Sequence, residues 1–307
     1  MNHVVAAPAP TAASPRLRPR SSAGGVLLAL LGFFLFATSD AVVKVLTARY
    51  SVLQLIPVHV TFAALPLLVS TVRAGDLGVL RPRHPGLVAL RGLLAGAGTV
   101  LNFYAFSTLP LADVYAIIFG VPVVVAVLAV PVLGERADPH RWAAVLAGFA
   151  GVLVMVRPQA GALSLGHLAA LASVFTGACV TLILRRIGRE ERGAAVVLAV
   201  VLGLLAVSLP AAALQAARPP ALADVGLLAV SGTLMGTAQF VMLHAFRAAP
   251  ATSVAPMQYT MMVWALLYGL LLFGDPARAH VLAGAGIVVA SSLYLMHRER
   301  RHATADP

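Results

Sequence analysis

Gly86-Leu87-Val88-Ala89-Leu90-Arg91-Gly92-Leu93-Leu94-Ala95-Gly96 returns 140 residues later as Gly226-Leu227-Leu228-Ala229-Val230-Ser231-Gly232-Thr233-Leu234-Met235-Gly236, with six of eleven positions identical. The same shift, without a gap, lays Ala105-Phe106 on Ala245-Phe246, Pro110 on Pro250, Gly134-Glu135 on Gly274-Asp275 and His140 on His280. Ala, Gly and Leu are frequent enough to coincide inside apolar runs, but loops that fall in register are not a matter of composition. The chain therefore carries an internal duplication.

The duplicated unit is apolar. Of 307 residues, 60% are hydrophobic and 11% charged, with a mean hydropathy of +0.92. Soluble chains carry roughly 25% charged residues, so an ordinary soluble enzyme and a disordered chain are both excluded. A spanning helix needs about 20 mostly apolar residues. Ten such runs occur, at 25–46, 54–72, 87–107, 111–133, 140–156, 166–184, 193–214, 222–245, 251–273 and 279–296; we number them spans 1 to 10. They are too long and continuous for barrel strands. The fold class is thus an all-α integral membrane protein of ten transmembrane helices.

Each copy holds five spans, and five is odd. The second copy enters the membrane from the opposite side, which makes an inverted-topology repeat about an axis in the membrane plane. Two such halves can rock around a central site and expose it alternately, as secondary carriers do. With the N-terminus cytoplasmic, 17 of the 22 Lys and Arg residues fall on the cytoplasmic face, and only Lys44, Arg49, Arg157, Arg218 and Arg278 on the other. Both termini are therefore expected inside. Residues 1–24, rich in Ala, Pro, Ser and Arg, read as a disordered arm; 25–157 form the first repeat, 158–165 a linker, 166–297 the second repeat and 298–307 a cytoplasmic tail. The first apolar run contains Asp40 and Lys44 and is read as a retained span, not a cleaved signal peptide.

Several functions are excluded. The sole lysine, Lys44, lies between Val43 and Val45, so the chain has no P-loop and is not itself a P-loop ATPase. The net charge of +11 reflects topology, and no nucleic-acid module is visible. Cys179 stands alone in an apolar run as a small hydrophobe, with no partner for an internal disulfide. The nine His are scattered without a metal-binding pair, and no catalytic constellation is recognisable. No cofactor, metal or enzymatic activity is expected.

The run Phe103-Tyr104-Ala105-Phe106-Ser107-Thr108-Leu109-Pro110-Leu111-Ala112-Asp113, then Pro122, Leu133-Gly134-Glu135-Arg136 and the stretch from Trp142 to Pro158, resembles the EamA-type repeat of the drug/metabolite transporter superfamily. The copy from Ala245-Phe246 through Pro250 to Gly274-Asp275 is similar but weaker, and the resemblance covers roughly residues 25–297. It implies ten helices in two EamA repeats around a central cavity lined mainly by spans 1, 3, 4, 6, 8 and 9. It also implies a bacterial inner-membrane carrier for amino acids, nucleotide-related compounds, vitamins such as riboflavin, S-adenosylmethionine or other small metabolites. The chain departs from the pattern at Leu35-Phe36-Ala37-Thr38-Ser39-Asp40, where many members have Trp-Gly, at His59, where many have Arg or Gln, and at Asp275, where Glu is common.

Ionisable groups at membrane depth are costly and therefore candidates for function. Asp40 lies roughly 22 Å along span 1 at 1.5 Å per residue, and Lys44 follows at i+4, where the two can pair. That pair reads as a charged patch binding a zwitterion or a proton, or as a helix-end pair with Lys44 reaching the headgroups. His59, mid-span 2, reads first as a structural hydrogen-bonding group; a titrating His would couple protons. Arg91 reads as a topology anchor and Asp113 as a first-turn acid. Spans 3–4 carry Thr99, Asn102, Tyr104 and Tyr115, and spans 8–9 carry Gln239, His244, Gln258, Tyr259 and Trp264. The repeat pairs Thr99 with Gln239, Tyr104 with His244 and Phe119 with Tyr259, which suits an asymmetric ligand across the axis; polar side chains also stitch helices together. The glycine pairs Gly92/Gly96 and Gly232/Gly236 read as packing surfaces. Pro122 is expected to kink span 4, with no mate at Met262.

The function expected is secondary transport of a small polar metabolite, with a proton as candidate co-substrate, the bilayer as surroundings and a homodimer as one compatible assembly. The competing readings are a channel or scramblase-like passage, disfavoured because no span is polar along its length, and an intramembrane enzyme acting on a lipid, disfavoured because no acids or His cluster at one depth.

Overall fold

An apolar run in lipid can satisfy its backbone only internally, as a helix or in a closed barrel, and the ten runs become helices. The computed structural model describes residues 23–74, 77–133, 139–156, 164–187, 191–214, 220–249, 254–276 and 278–305. Span 1 is Ala23–Thr47, span 2 Val52–Ala74, span 3 Pro85–Thr108, span 5 Pro139–Val156, span 6 Leu165–Ile187, span 7 Gly193–Leu214, span 8 Leu222–Ala248 and span 10 Ala279–Ala305. Span 4 is two segments, Leu111–Ile118 and Val121–Leu133. Span 9 is a 3-10 turn, Ala255–Tyr259, an α-helix, Thr260–Tyr268, and a π-helical segment, Gly269–Phe273. Among the described residues seven helices are long and apolar enough to cross a membrane, and shorter apolar stretches lie in spans 2, 5 and 10. The protein is a multi-pass integral membrane protein. The arm before residue 23, the Gly134-Glu135-Arg136 turn and Pro250 lie outside the described residues.

Helix packing obeys the sequence repeat. Span 1 packs mainly on span 8, and its mate, span 6, packs on span 3; span 2 packs on span 8, and its mate, span 7, on span 3. Spans 2 and 7, 4 and 9, and 5 and 10 pack on one another, each against its own mate. The glycines show the register atom by atom. A Cβ on Gly92 would lie 2.1 Å from the Ala199 carbonyl oxygen, and one on Gly232 would lie 2.2 Å from the His59 carbonyl oxygen. Gly96 meets Gly203 as Gly236 meets Ala63. Each contact maps onto the other by the same 140-residue shift, with the roles of the halves exchanged. Without side chains at these positions, helix backbones approach closely in lipid, where small residues and not hydrophobic exclusion drive association.

Span 4 breaks instead of kinking. Its first segment ends at Ile118, Phe119 and Gly120 form a turn, and Pro122 opens the second segment. Proline has no N–H to donate and its ring excludes the carbonyl four residues back, that of Ile118. Span 9 leaves α geometry at the mate position by another route, the 3-10 turn that ends at Tyr259, with Pro256 near its start. The irregularity is thus shared although Pro122 is not. Gly274, at φ 67°, closes the π segment in the left-handed region that glycine adopts without strain.

Outside the spans, the connection between spans 6 and 7 is tied to that between spans 2 and 3. The Glu191 carboxylate accepts the backbone N–H groups of Arg83, His84 and Arg192 at 2.9 to 3.1 Å, with His84 Nδ1 at 3.5 Å. Its side chain is 1% exposed, covered by the loops themselves. Burial pushes the carboxyl up, and the Arg83, Arg192 and His84 hydrogen bonds outweigh it, holding the group at about 2. The folded value lies below the ordinary 4.5, so this stabilisation is complete above about 4.5 and is lost as pH falls from there to about 2. Glu191→Gln is therefore expected to lower the melting temperature at pH 7 and to match the wild type as pH falls through that window. A gap that stays constant over the window would show that the carboxylate charge is not what the loops use. The opposite end carries the mate arrangement with reversed charge: Asp224, the mate of His84, accepts from the Tyr50 hydroxyl at 2.7 Å and pairs with Arg49 at 3.5 Å.

Candidate functional site

The pseudo-axis runs through a chain of rings. Phe119 and Tyr259 are repeat mates, and their centroids lie 5.2 Å apart, edge to face; a residue touching its own mate stands on the axis. From Phe119 the chain runs to Tyr115 at 6.4 Å, Phe106 at 5.7 Å, Phe103 at 6.4 Å and His59 at 5.5 Å. It draws on spans 2, 3, 4 and 9 and fills the largest buried cluster.

Asp40 reaches this chain from span 1. It is 8% exposed, and its Oδ2 accepts the Tyr115 hydroxyl at 2.5 Å. It does not pair with Lys44, as the i+4 spacing allowed. Lys44 turns away and donates to the Leu109 carbonyl at 2.6 Å, with Asp275 Oδ2 at 3.6 Å and the Phe273 ring 4.8 Å below it. The reason is tertiary: the junction of spans 9 and 10 offers a carboxylate, while Asp40 has the Tyr115 hydroxyl. Arg278 pairs with Asp113 at 3.7 Å in the same region, joining the span 9–10 junction to span 4. Asp113 lies in the first turn of its helix, as expected. A cleft beside these pairs is lined by Asp113, Asp275, Arg278, Leu111, Leu266 and Gly269.

His59 enters a buried stitch. Ser39 and Ser231 hydroxyls lie 3.1 Å apart, and Ser231 lies 3.0 Å from His59 Nδ1, so spans 1, 8 and 2 are joined by hydrogen bonds. Tyr259 has a buried hydroxyl without a hydrogen-bond partner, beside Ser292 and Gln258 but outside good geometry; Asn102 Oδ1 and Ser292 Oγ are likewise unpaired. Gln258 is half-buried in the 3-10 turn next to the axis. Gln239 and His244 do not join the ring chain. Both are exposed on span 8, with His244 Nδ1 2.9 Å from the Phe240 carbonyl. His244 and its mate Tyr104 (38% exposed) are both exposed.

The two ends differ. Phe103 and Phe106 are each 2% exposed, while their mates Leu243 and Phe246 are 46% and 48% exposed. Ala105 and Ala245, on another face of the same helices, are both fully buried. The difference is therefore confined to the helix face that carries Phe103, Phe106 and their mates. His59 and Tyr115, which pack beside Phe103 and Phe106, have Ala199 and Ala255 as mates, so the second half offers less bulk at the corresponding place. Span 8 thus leaves Leu243 and Phe246 uncovered where span 3 buries their mates, and Gln239, one turn from Leu243, is exposed with them. Sequence reasoning missed the ring chain, although four of its members fall in the single stretch from Phe103 to Phe119.

Known proteins agree with this architecture. A solved crystal structure superposes with a TM-score of 0.62 over 92% of this chain and 99% of the other, at 19% identity, which shows the shared fold. The chain is similar to an S-adenosylmethionine uptake transporter of Rickettsia bellii, 25% identical over 88% of this chain and 94% of the relative. It is similar to a riboflavin transporter of Rhizobium johnstonii, 26% identical over 73% of this chain and 74% of the relative. A pseudopaline exporter of Pseudomonas aeruginosa is 25% identical over 90% and 97%. The model of the EamA-like transporter family matches residues 23–157 and again 164–296. Two copies of that unit account for most of the chain, and the protein belongs to the EamA-like transporter family, a membrane transporter and not an enzyme.

Proposed function

We propose that the protein is a secondary carrier of a small polar metabolite that works by alternating access, with the ring chain and Asp40 at its central site. The observation that carries this is the unequal burial of equivalent residues: Phe103 and Phe106 are sealed where Leu243 and Phe246 are open. Two halves related by an inverted repeat can exchange these environments, which opens the Lys44 end and seals the other. The relatives named for S-adenosylmethionine, riboflavin and pseudopaline support a metabolite of that size, and the first two of these carry flat heteroaromatic rings suited to a ring-lined path. The bacterial relatives support a bacterial inner-membrane placement, and the distribution of basic residues, 17 to 5, supports an orientation with both termini and the Glu191 end in the cytoplasm. Asp40 and His59 are the groups that would couple a proton, and a homodimer is compatible with the exposed apolar faces.

The test is exchange. Purified protein in liposomes loaded with a pooled metabolite mixture, followed by mass spectrometry against empty liposomes, is expected to show saturable exchange of one chemical class. Non-saturating flux with ohmic conductance would replace the carrier by a channel, and chemical conversion would replace it by an enzyme. Gln258→Ala is expected to lower the exchange rate with the melting temperature unchanged, because its amide stands beside the unpaired Tyr259 hydroxyl without holding the fold together. Unchanged kinetics would remove Gln258 from the site.

A further inference from the structure

Arg91 is a half-buried cation that the described protein does not compensate. It lies roughly 9 Å into span 3, at 1.5 Å per residue, within the helix and not in the loop before it. Its Nε is buried without a hydrogen-bond partner, and its Nη1 reaches the Val196 carbonyl of span 7 at a long 3.4 Å. Among the described residues no carboxylate lies within ion-pair distance of it. Glu191, the buried acid of this end, is spent on backbone N–H groups. The repeat makes the deficit plain. The mate of Arg91 is Ser231, which completes the stitch with Ser39 and His59 in the other half. The mates of those two partners are Cys179 and Ala199. Three hydrogen-bonding groups in one half thus correspond to a guanidinium, a thiol and a methyl in the other. A guanidinium carries five N–H donors and accepts nothing, and an uncompensated charge at membrane depth is costly. The surroundings are a basic rim on an apolar flank. Spans 3, 6 and 7 converge here, where Val88, Ile187 and Val196 pack together. Arg186, in the last turn of span 6, and Arg83, just before span 3, are exposed at the rim. Leu90, Leu184 and Val197, one from each of the three spans, are exposed on the flank. The ring chain uses none of these residues.

We propose that Arg91 holds the phosphate of an anionic phospholipid from the leaflet at the Glu191 end. The guanidinium takes two phosphate oxygens as a fork, Arg83 and Arg186 attract the headgroup charge at the rim, and the acyl chains lie against Leu90, Leu184 and Val197. The lipid supplies the acceptor that Ser39 and His59 supply to Ser231 in the other half, and it joins spans 3, 6 and 7. A soluble phosphate offers the same oxygens, but the exposed apolar side chains beside Arg91 suit acyl chains and not a hydrated ion. This site is separate from the candidate central site, and the inference does not depend on the carrier reading.

The experiment is native mass spectrometry of the full chain released from neutral detergent micelles, titrated with dioleoylphosphatidylglycerol and dioleoylphosphatidylcholine in competition. The two probes share acyl chains and phosphodiester, and differ in the positive charge of choline. The first phosphatidylglycerol is expected to bind about tenfold more tightly than phosphatidylcholine, the scale of one hydrogen bond to a charged group. Arg91→Met, which keeps the length of the stem and removes the charge, should bring the two lipids within about threefold of each other. Arg91→Lys keeps the charge without the fork and should leave an intermediate preference. Arg49→Met, at the opposite end, should leave the preference as in the wild type. Size exclusion and thermal melting check that the variants fold, and Arg91→Lys carries the test should Arg91→Met not fold. Glycerophosphoglycerol, the same headgroup without acyl chains, and inorganic phosphate should each fail to displace the bound lipid when present in large excess. Equal binding of the two lipids, a preference undiminished in Arg91→Met or Arg91→Lys, a preference lost in Arg49→Met, or displacement by either soluble phosphate would each overturn the proposal. None of these measurements uses transport, so liposomes that show no exchange would remove the carrier reading and leave this one standing.

Discussion

Gly232→Val will not yield a monodisperse, folded protein. The Cβ it adds would stand 2.2 Å from the His59 carbonyl oxygen and 2.8 Å from the Phe62 Cβ, both fixed parts of span 2. No rotamer relieves a clash between a Cβ and a neighbouring backbone, so spans 2 and 8 must separate. Overpacking of a close-fitting interior costs about 1–3 kcal/mol and more where backbone has to move. The cost is compounded because Ser231, the adjacent residue, bonds His59 and Ser39 in the buried stitch between three spans. The mate substitution Gly92→Val meets the Ala199 carbonyl at 2.1 Å and should fail in the same way. Gly226→Ala is the control: nothing lies within 4 Å of its added Cβ, and the variant should fold and melt like the wild type or slightly higher. Fluorescence-detected size exclusion in mild detergent, followed by melting curves, reads all three. A Gly232→Val protein with a wild-type profile would mean that spans 2 and 8 do not pack as described.

That glycine contact also shows how far the sequence could be read. The repeat, the ten spans and the packing role of Gly92 and Gly232 were legible because backbone chemistry in lipid leaves few choices and because register in the loops survives where apolar side chains have drifted. The candidate site was legible only in part. Asp40, Tyr115, Gln258 and Tyr259 lie at or beside the axis, and Phe119 touches the mate assigned to it by the 140-residue shift. Which way Lys44 turns was not legible, because Asp275 is 231 positions away in sequence and reaches it only through the fold. The exposure of His244 was hidden for another reason: a helix that is apolar nearly all round carries no face in its periodicity. The turn at Phe119–Gly120 was foreshadowed by Pro122, but the matching irregularity in span 9 had only Pro256 to signal it.

Lys44→Met is expected to lower the maximal exchange rate about tenfold while leaving the protein folded, a loss set by one charged hydrogen bond of about 1.5–3 kcal/mol. The ammonium ties span 1 to the Leu109 carbonyl at the span 3–4 junction and to Asp275 at the span 9–10 junction, and the Phe273 ring supports it from below. Methionine keeps the length of the stem and removes every one of these charged contacts. A carrier that cannot hold one end shut populates that closed state too thinly to complete its cycle. The chain supplies its own reporter, because Lys44 is its sole lysine. With a membrane-impermeant amine-acylating reagent and peptide mass spectrometry, Lys44, whose side chain is 13% exposed, should react slowly. A lysine placed at Arg49, at the same end and 70% exposed, should react at the rate of a free amine. Asp275→Asn should speed the reaction of Lys44 by about fivefold, the worth of a partly exposed ion pair near 1 kcal/mol. Substrate that drives the Lys44 end open should speed it further in the wild type. The latch has no part in the cycle if Lys44 reacts as fast as the lysine at position 49 and Lys44→Met exchanges at the wild-type rate; slow labelling that substrate accelerates ties the ammonium to the opening of that end.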